Sequence, residues 1–222
     1  MDQVTGLRSL RWESLSHRQV LAELIRGGWV PCGAGDWAVA LRSPDGVLVA
    51  RVCPFDPAYS AFVDLCRRCI GNRWVPRVEL ATDLEGGGSV VFLEFVAPVE
   101  EAVAVQVAER WRTGAGDAEF EEVRRTARMI DAEYRKSTPW WDGFDMNSAH
   151  IRRAVDGRLV LIDIFCMDGA SLYGKILEDL AEVHRRIPPE RMRYALEIPY
   201  IARESSPAEI SALKKAWAPS AR

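Results

Sequence analysis

The sequence predicts an α+β domain in which a small antiparallel sheet comes first and helices dominate afterwards. Three observations carry this expectation. Two β-rich runs, about 36–42 and 47–53, are separated by Ser43-Pro44-Asp45-Gly46, whose residues favour a tight turn. A second pair of strand candidates, about 75–81 and 89–96, flanks Glu85-Gly86-Gly87-Gly88, which reads as a flexible turn. Residues 100–112 and 117–136 then repeat apolar side chains at helical spacing, the latter with Phe120, Val123, Ala127, Ile130 and Tyr134 on one side.

Composition sets the class. With 222 residues, 48% hydrophobic and 27% charged, the chain is long enough for one sizeable core or two small lobes and too apolar for disorder. A formal charge of −3 supplies no global basic field, so neither nucleic acid nor an anionic membrane surface is an expected partner. The N-terminal stretch lacks the uninterrupted apolar core of a signal peptide, and apolar runs elsewhere are strand-length, which points to a cytoplasmic protein. Five cysteines in scattered apolar or helical contexts read as reduced thiols. Cys66 and Cys69 form a CxxC, but no second CxxC or close His pair accompanies it, so packing is expected rather than metal binding.

The elements follow in order. Residues 14–27 open at a Ser cap, place Val20, Leu21, Leu24 and Ile25 at helical spacing and stop at Gly27-Gly28. The first hairpin comes next, and after it 57–70 carries Tyr59, Phe62, Val63, Cys66 and Ile70 on one helical face. Residues 1–98 therefore order as helix, two strands, helix, two strands. Past the helices at 100–136 lies a loop rich in Trp, Pro and Gly, whose Trp140 and Trp141 are expected in the core rather than as an acceptor wall. Short strands at about 150–154 and 158–163 flank Asp156-Gly157, another hairpin signal. Residues 171–186 are helical, Pro188-Pro189 stops them, and 207–217 forms a last helix after Ser205-Ser206-Pro207.

Chemistry-bearing residues concentrate in WWDGFDMNSAHIRRAVDGRLVLIDIF, residues 140–165. Asp145 is followed five positions later by His150 and eighteen later by Asp163, which ends the apolar run LVLI where a carboxylate emerges at a strand terminus. Asp142 and Asn147 form a second pair five apart. This segment resembles the catalytic loop, hairpin and metal-binding turn of protein kinases and aminoglycoside phosphotransferases.

That resemblance implies a two-lobed protein-kinase-like fold, with residues 1–98 as a small antiparallel-sheet N-lobe and 99–222 as a reduced helical C-lobe. It implies ATP and Mg²⁺ as cofactors, with Asp163 the principal metal ligand and His150 at the second metal position, where the family usually has Asn. Asp145 would orient the attacking hydroxyl and accept its proton, with Asp142 and Asn147 as the alternative register. Gly33 and Gly35 would lie over the nucleotide phosphates, and Arg51 in VLVARV would stand at the family's lysine position. Asp64 on the following helix would pair with Arg51, and backbone groups of Glu94 and Val96 would hold adenine. The implied activity is phosphoryl transfer to a hydroxyl of a protein, peptide or small molecule. Gly143 in place of the loop histidine, Asp163-Ile164-Phe165 without a terminal Gly, and the missing Ala-Pro-Glu segment are departures. With Arg51 and His150 they leave a pseudokinase, binding nucleotide or a partner, as the alternative.

Overall fold

Alternating apolar residues in the first half pair into one antiparallel sheet. The computed structural model describes residues 10–217. After helix α1 (His17–Arg26) come strands β1 (Val30–Ala34), β2 (Val39–Arg42) and β3 (Leu48–Cys53), then helix α2 (Tyr59–Arg68) and strands β4 (Val78–Asp83) and β5 (Ser89–Glu94). Their spatial order is β1-β2-β3-β5-β4, so β3 lies inside the sheet and β1 at its edge. Ser16 and Gln19 close a capping box that starts α1. Val20 and Leu24 of α1 then pack with Leu48, Ala50, Val52 and Phe92 on one face of the sheet. The other face presents Val91 and Leu93 to Phe62 and Leu65 of α2. Covered on both faces, β5 is buried from Val90 to Glu94.

The second half extends the α2 core. Strand β6 (Val96–Pro98) leads into α3 (Glu101–Thr113), whose end turns through Gly114 in the left-handed region before α4 (Ala118–Ser137). Phe120, Val123, Ala127 and Ile130 of α4 are fully buried, along the face the spacing indicated. Then follow β7 (Trp141–Phe144), β8 (Ile151–Ala154), β9 (Leu159–Leu161), β10 (Phe165–Met167), α5 (Gly169–Arg186), α6 (Pro199–Glu204) and α7 (Pro207–Trp217). Strand β8 sits between β6 and β9 in a three-stranded sheet, and β7 pairs antiparallel with β10. The α+β class is thus as expected.

Several expectations change. The run 36–42 is not one strand: β1 starts at Val30, and Gly35–Ala38 closes a hairpin into β2 through a 3.0 Å bond from the Gly35 amide to the Ala38 carbonyl. Ile70 does not share the α2 face, because the helix stops at Arg68 and Ile70 is 87% exposed. Cys66 and Cys69 are buried, and all five cysteines are free thiols. Trp141 is buried and Trp140 packs at the edge of the same core. Among the described residues no helix is long and apolar enough to cross a membrane. Residues 1–9, where a leader would begin, lie outside the described residues.

Glu85-Gly86-Gly87-Gly88 is not a flexible turn but a docking notch. Gly86 and Gly87 both have positive φ, and a Cβ on Gly87 would lie 1.8 Å from the Arg191 carbonyl oxygen. The C-terminal segment 191–204 fills this notch and then runs along the first half of the protein. The Arg193 amide donates to the Gly86 carbonyl at 3.1 Å, and the Tyr194 hydroxyl donates to Glu85 at 2.8 Å. Glu197 accepts from Arg18 of α1 at 2.6 Å, and the Tyr200 amide donates to the Asp36 carbonyl at 2.9 Å. Arg203 completes the belt with an ion pair to Asp36 at the tip of the β1–β2 hairpin.

Candidate functional site

Two loops meet where β7 and β10 pair. Phe144 faces Phe165 across the ladder, and one step on, the Asp145 amide donates to the Ile164 carbonyl at 3.0 Å. The Ile162 amide likewise donates to the His150 carbonyl at 2.8 Å. Asp145, His150 and Asp163, widely spaced in sequence, therefore fall into one loop cluster. Asn147 holds Asp145 in place: its side-chain amide donates to Asp145 Oδ1 at 2.9 Å while its Oδ1 accepts from the Ala149 amide. His150 Nδ1 is hydrogen-bonded to the Asp145 carbonyl, and its Nε2 lies 3.9 Å from Asp145 Oδ2. Asn147 is bound to Asp145, and Asp142 lies on β7 with its carboxylate 3.9 Å from Cys166 Sγ.

Asp163 connects this cluster to the five-stranded sheet. Its backbone takes φ 50°, a left-handed conformation uncommon outside glycine, while the next residue, Ile164, is fully buried and anchors the turn. The Asp163 carboxylate, 37% exposed, lies 3.6 Å from Nη2 of Arg51 on β3. Arg51 in turn binds Asp56 at 2.7 Å, and its guanidinium lies 3.6 Å from the centre of the Tyr59 ring. Burial alone would pull the Arg51 pKa down, but the charges of Asp163 and Asp56 outweigh it and hold the guanidinium above its ordinary value. Burial raises the Asp56 pKa against the opposing pull of Arg51; a permanently charged arginine 2.7 Å away keeps Asp56 as its carboxylate counter-ion.

The expected Arg51–Asp64 pair does not form. Asp64 sits toward the C-terminal half of α2 and binds Arg68 one turn on, at 2.7 Å. Asp56 precedes the helix and faces β3. A search restricted to helical positions passes over it, because Pro54-Phe55-Asp56-Pro57 reads as a connector. Cys166 was also missed: Sγ lies 3.9 Å from Asp142 Oδ2, and burial together with the charges of Asp142, Asp145 and Asp163 pushes its thiol up to about 12.

The β1–β2 hairpin reaches the same region. Gly33 and Gly35 face open space, with nothing within 4 Å of a hypothetical Cβ at either. Trp37 carries the hairpin across to the segment after β10, its ring centre 6.4 Å from Tyr173 of α5. At the junction after β5, Glu94 serves the scaffold. Its buried carboxylate accepts from Arg158 Nη2 at 2.7 and 2.9 Å, pairs with the Arg77 guanidinium at 2.8 Å, and accepts from the Arg77 amide at 3.0 Å. The Glu94 and Phe95 amides donate to Arg77 and Val47 carbonyls, and Val96 lies opposite Ala154 in the β6–β8 pair.

Among the described residues no group of three or more His, Cys, Asp and Glu side chains forms a metal cage. Mg²⁺ is usually held by one or two carboxylates with phosphate and water oxygens, and Asp163 offers that kind of partial site. A cavity of about 830 Å³ is lined by Asp56, Tyr59, Asp64, Arg67, Thr82 and Arg191 among others, and its lining includes none of Arg51, Asp145 and Asp163. No protein-family model matches the chain, and no curated protein matches it.

Proposed function

We propose that the protein is a small ATP-dependent phosphotransferase of the protein-kinase-like class, acting on a hydroxyl of a protein, peptide or small molecule. The observation that carries the reading is the meeting of the Asp163 carboxylate with Arg51, 3.6 Å apart, beside a loop in which Asp145 is tied to Ile164. The topology supports it: a five-stranded antiparallel sheet with a helix between β3 and β4 precedes two helices, and a hairpin separates the two aspartates. On this reading residues 1–98 form the N-lobe and 99–222 a reduced C-lobe.

Bound Mg²⁺ would neutralise triphosphate charge. Asp163 would hold the metal from its partly exposed carboxylate. Arg51 would be the phosphate cation: its buried Nη1 has no hydrogen-bond partner among the described residues and would reach an anionic oxygen once the side chains that cover it open. The absence of side chains at Gly33 and Gly35 would let phosphates come close to the hairpin backbone there. Asp145, fixed by Asn147 and half-exposed, would align the acceptor hydroxyl and take its proton. His150, held against Asp145, would steady that carboxylate and border the metal side of the loop. The β5–β6 connection around Glu94 and Val96 would line the adenine end.

A second reading, a pseudokinase that binds nucleotide or a partner without turnover, is favoured by one contact: Arg51 already offsets part of the Asp163 charge that a metal would meet. Turnover of radiolabelled ATP separates the two. Wild type should release or transfer label, and Asp145→Ala and Asp163→Ala should each lose about 100-fold or more. Equal background in all three proteins rejects catalysis, and Mg·ATP binding without turnover selects the second reading.

A further inference from the structure

We propose that Asp56, in the loop between β3 and α2, is the positioning residue of Arg51 and takes over the work of an acidic side chain on α2. This rests on the phosphotransferase reading of the same site. Three contacts fix the guanidinium. Asp56 Oδ2 holds Nη2 at 2.7 Å, the Tyr59 ring lies 3.6 Å away, and Asp163 approaches Nη2 at 3.6 Å. Asp56 is itself fixed, because its Oδ1 accepts from the Ala58 amide at 3.1 Å and Pro54 and Pro57 restrict the loop on either side.

The acidic residue of α2, Asp64, is engaged with Arg68 and contributes nothing to Arg51. The position of the cation is therefore set by a stiff connector. Asp56 and Tyr59 lie at the start of α2, so the N-terminal end of the helix and the loop before it hold the cation together.

The same geometry explains why an arginine stands here. A guanidinium can give one nitrogen to Asp56 and keep another for a ligand. In Arg51, Nη2 faces the carboxylates, and Nη1, buried and unpartnered among the described residues, is the nitrogen left for a ligand to satisfy. A lysine ammonium has three donors on a single atom, so the loop carboxylate and the phosphate oxygens would have to converge on one nitrogen.

The test compares Asp56→Asn, Asp56→Glu, Asp64→Asn and Arg51→Lys with wild type, using Mg·ATP affinity, the KM and kcat of ATP turnover, and ¹⁵N resonances of the Arg51 guanidinium. Asp56→Asn should raise the Kd and KM for Mg·ATP by about 10-fold or more, the effect of losing one charge-assisted hydrogen bond, with a much smaller change in kcat. Asp56→Glu should recover part of the affinity, Asp64→Asn should match wild type, and Arg51→Lys should resemble Asp56→Asn. Unchanged affinity in Asp56→Asn, or an equal loss in Asp64→Asn, overturns the proposal.

The guanidinium resonances need no nucleotide. Resolved Nη signals in wild type that average together in Asp56→Asn support positioning; averaging in both proteins refutes it. Absence of Mg·ATP binding by wild type would reject the phosphotransferase reading while leaving this readout to decide on Asp56. Should Asp56→Asn fail to fold, Asp56→Glu in the Arg51→Lys background decides: an effect equal to Arg51→Lys alone supports the coupling, and additive losses overturn it.

Discussion

Replacing Glu94 with Ala tests the scaffold that joins the five-stranded sheet to the β8–β9 hairpin. The substitution removes the acceptor for two Arg158 contacts at 2.7 and 2.9 Å, one Arg77 ion pair at 2.8 Å and the Arg77 amide at 3.0 Å. The Arg77 side chain is 65% exposed and rehydrates at little cost, whereas that of Arg158 is 22% exposed and keeps Asp156, 2.7 Å from its Nε, as a counter-ion. Breaking a buried pair by deleting one partner costs about 3–5 kcal/mol, and the remaining Asp156 pair together with the access of Arg158 to water holds this case at the bottom of that range, at about 3 kcal/mol. For a chain of this size that corresponds to a fall of roughly 6–12 °C in Tm. Urea unfolding followed by tryptophan fluorescence reads the loss. Glu94→Gln, which keeps an acceptor for the Arg77 amide, should lose about half as much. Glu94→Ala with Arg158→Ala should fall short of additivity by about 2 kcal/mol. A loss below about 1 kcal/mol for Glu94→Ala, or simple additivity, would refute the clamp.

Two further perturbations probe the belt over the first half of the protein. Gly87→Ala should destabilise by about 2 kcal/mol or more, since it adds left-handed strain to a clash with the Arg191 carbonyl 1.8 Å away. Gly157→Ala, with similar φ but open space around it, should lose only about 1 kcal/mol, and equal Tm shifts for the two would contradict a packed notch. Burial lowers the pKa of His17, which lies 3.3 Å from Glu197. The unfolded chain then binds the proton more readily, so stability is full above the ordinary histidine pKa of about 6.5 and falls as pH drops through the lowered folded value. Thermal melts across that window should show this loss in wild type and a flatter profile in His17→Gln; parallel profiles would remove His17 as the cause.

What the sequence made legible depends on how local each signal is. The pairing of Asp145 with Asp163 comes from their spacing through the resemblance, and the short hairpin between them, turned at Asp156-Gly157, brings their loops together. Helices α2 and α4 announce themselves by their own periodicity. Strand β1 did not, since Val-Pro-Cys-Gly-Ala has neither alternation nor β-branched density and becomes a strand only by pairing with β2 at the sheet edge. Strands β6, β7 and β10 have three or four residues each, and their identity comes from partners far along the chain. The glycines at 86–88 gave a correct turn signal but no hint of the segment 191–194 that requires them. Glu94 reads as the polar end of an apolar run, while the arginines that bury its charge stand 17 and 64 residues away. Asp56 was passed over because an acidic partner for Arg51 was sought on the helix, whereas β3 and the loop after it bring the two side chains together first.

On the proposed reading Asp163 and Arg51 would receive the metal and phosphates of one nucleotide while Asp145 would serve the acceptor. Calorimetric titration of ATP with and without Mg²⁺, on wild type, Asp163→Asn and Asp145→Asn, tests it most directly. Wild type should bind ATP much more tightly with Mg²⁺ present, Asp163→Asn should lose that gain while remaining folded, and Asp145→Asn should bind as wild type does. An Asp163→Asn protein with the full Mg²⁺-dependent gain, or a wild type indifferent to Mg·ATP, would contradict the account.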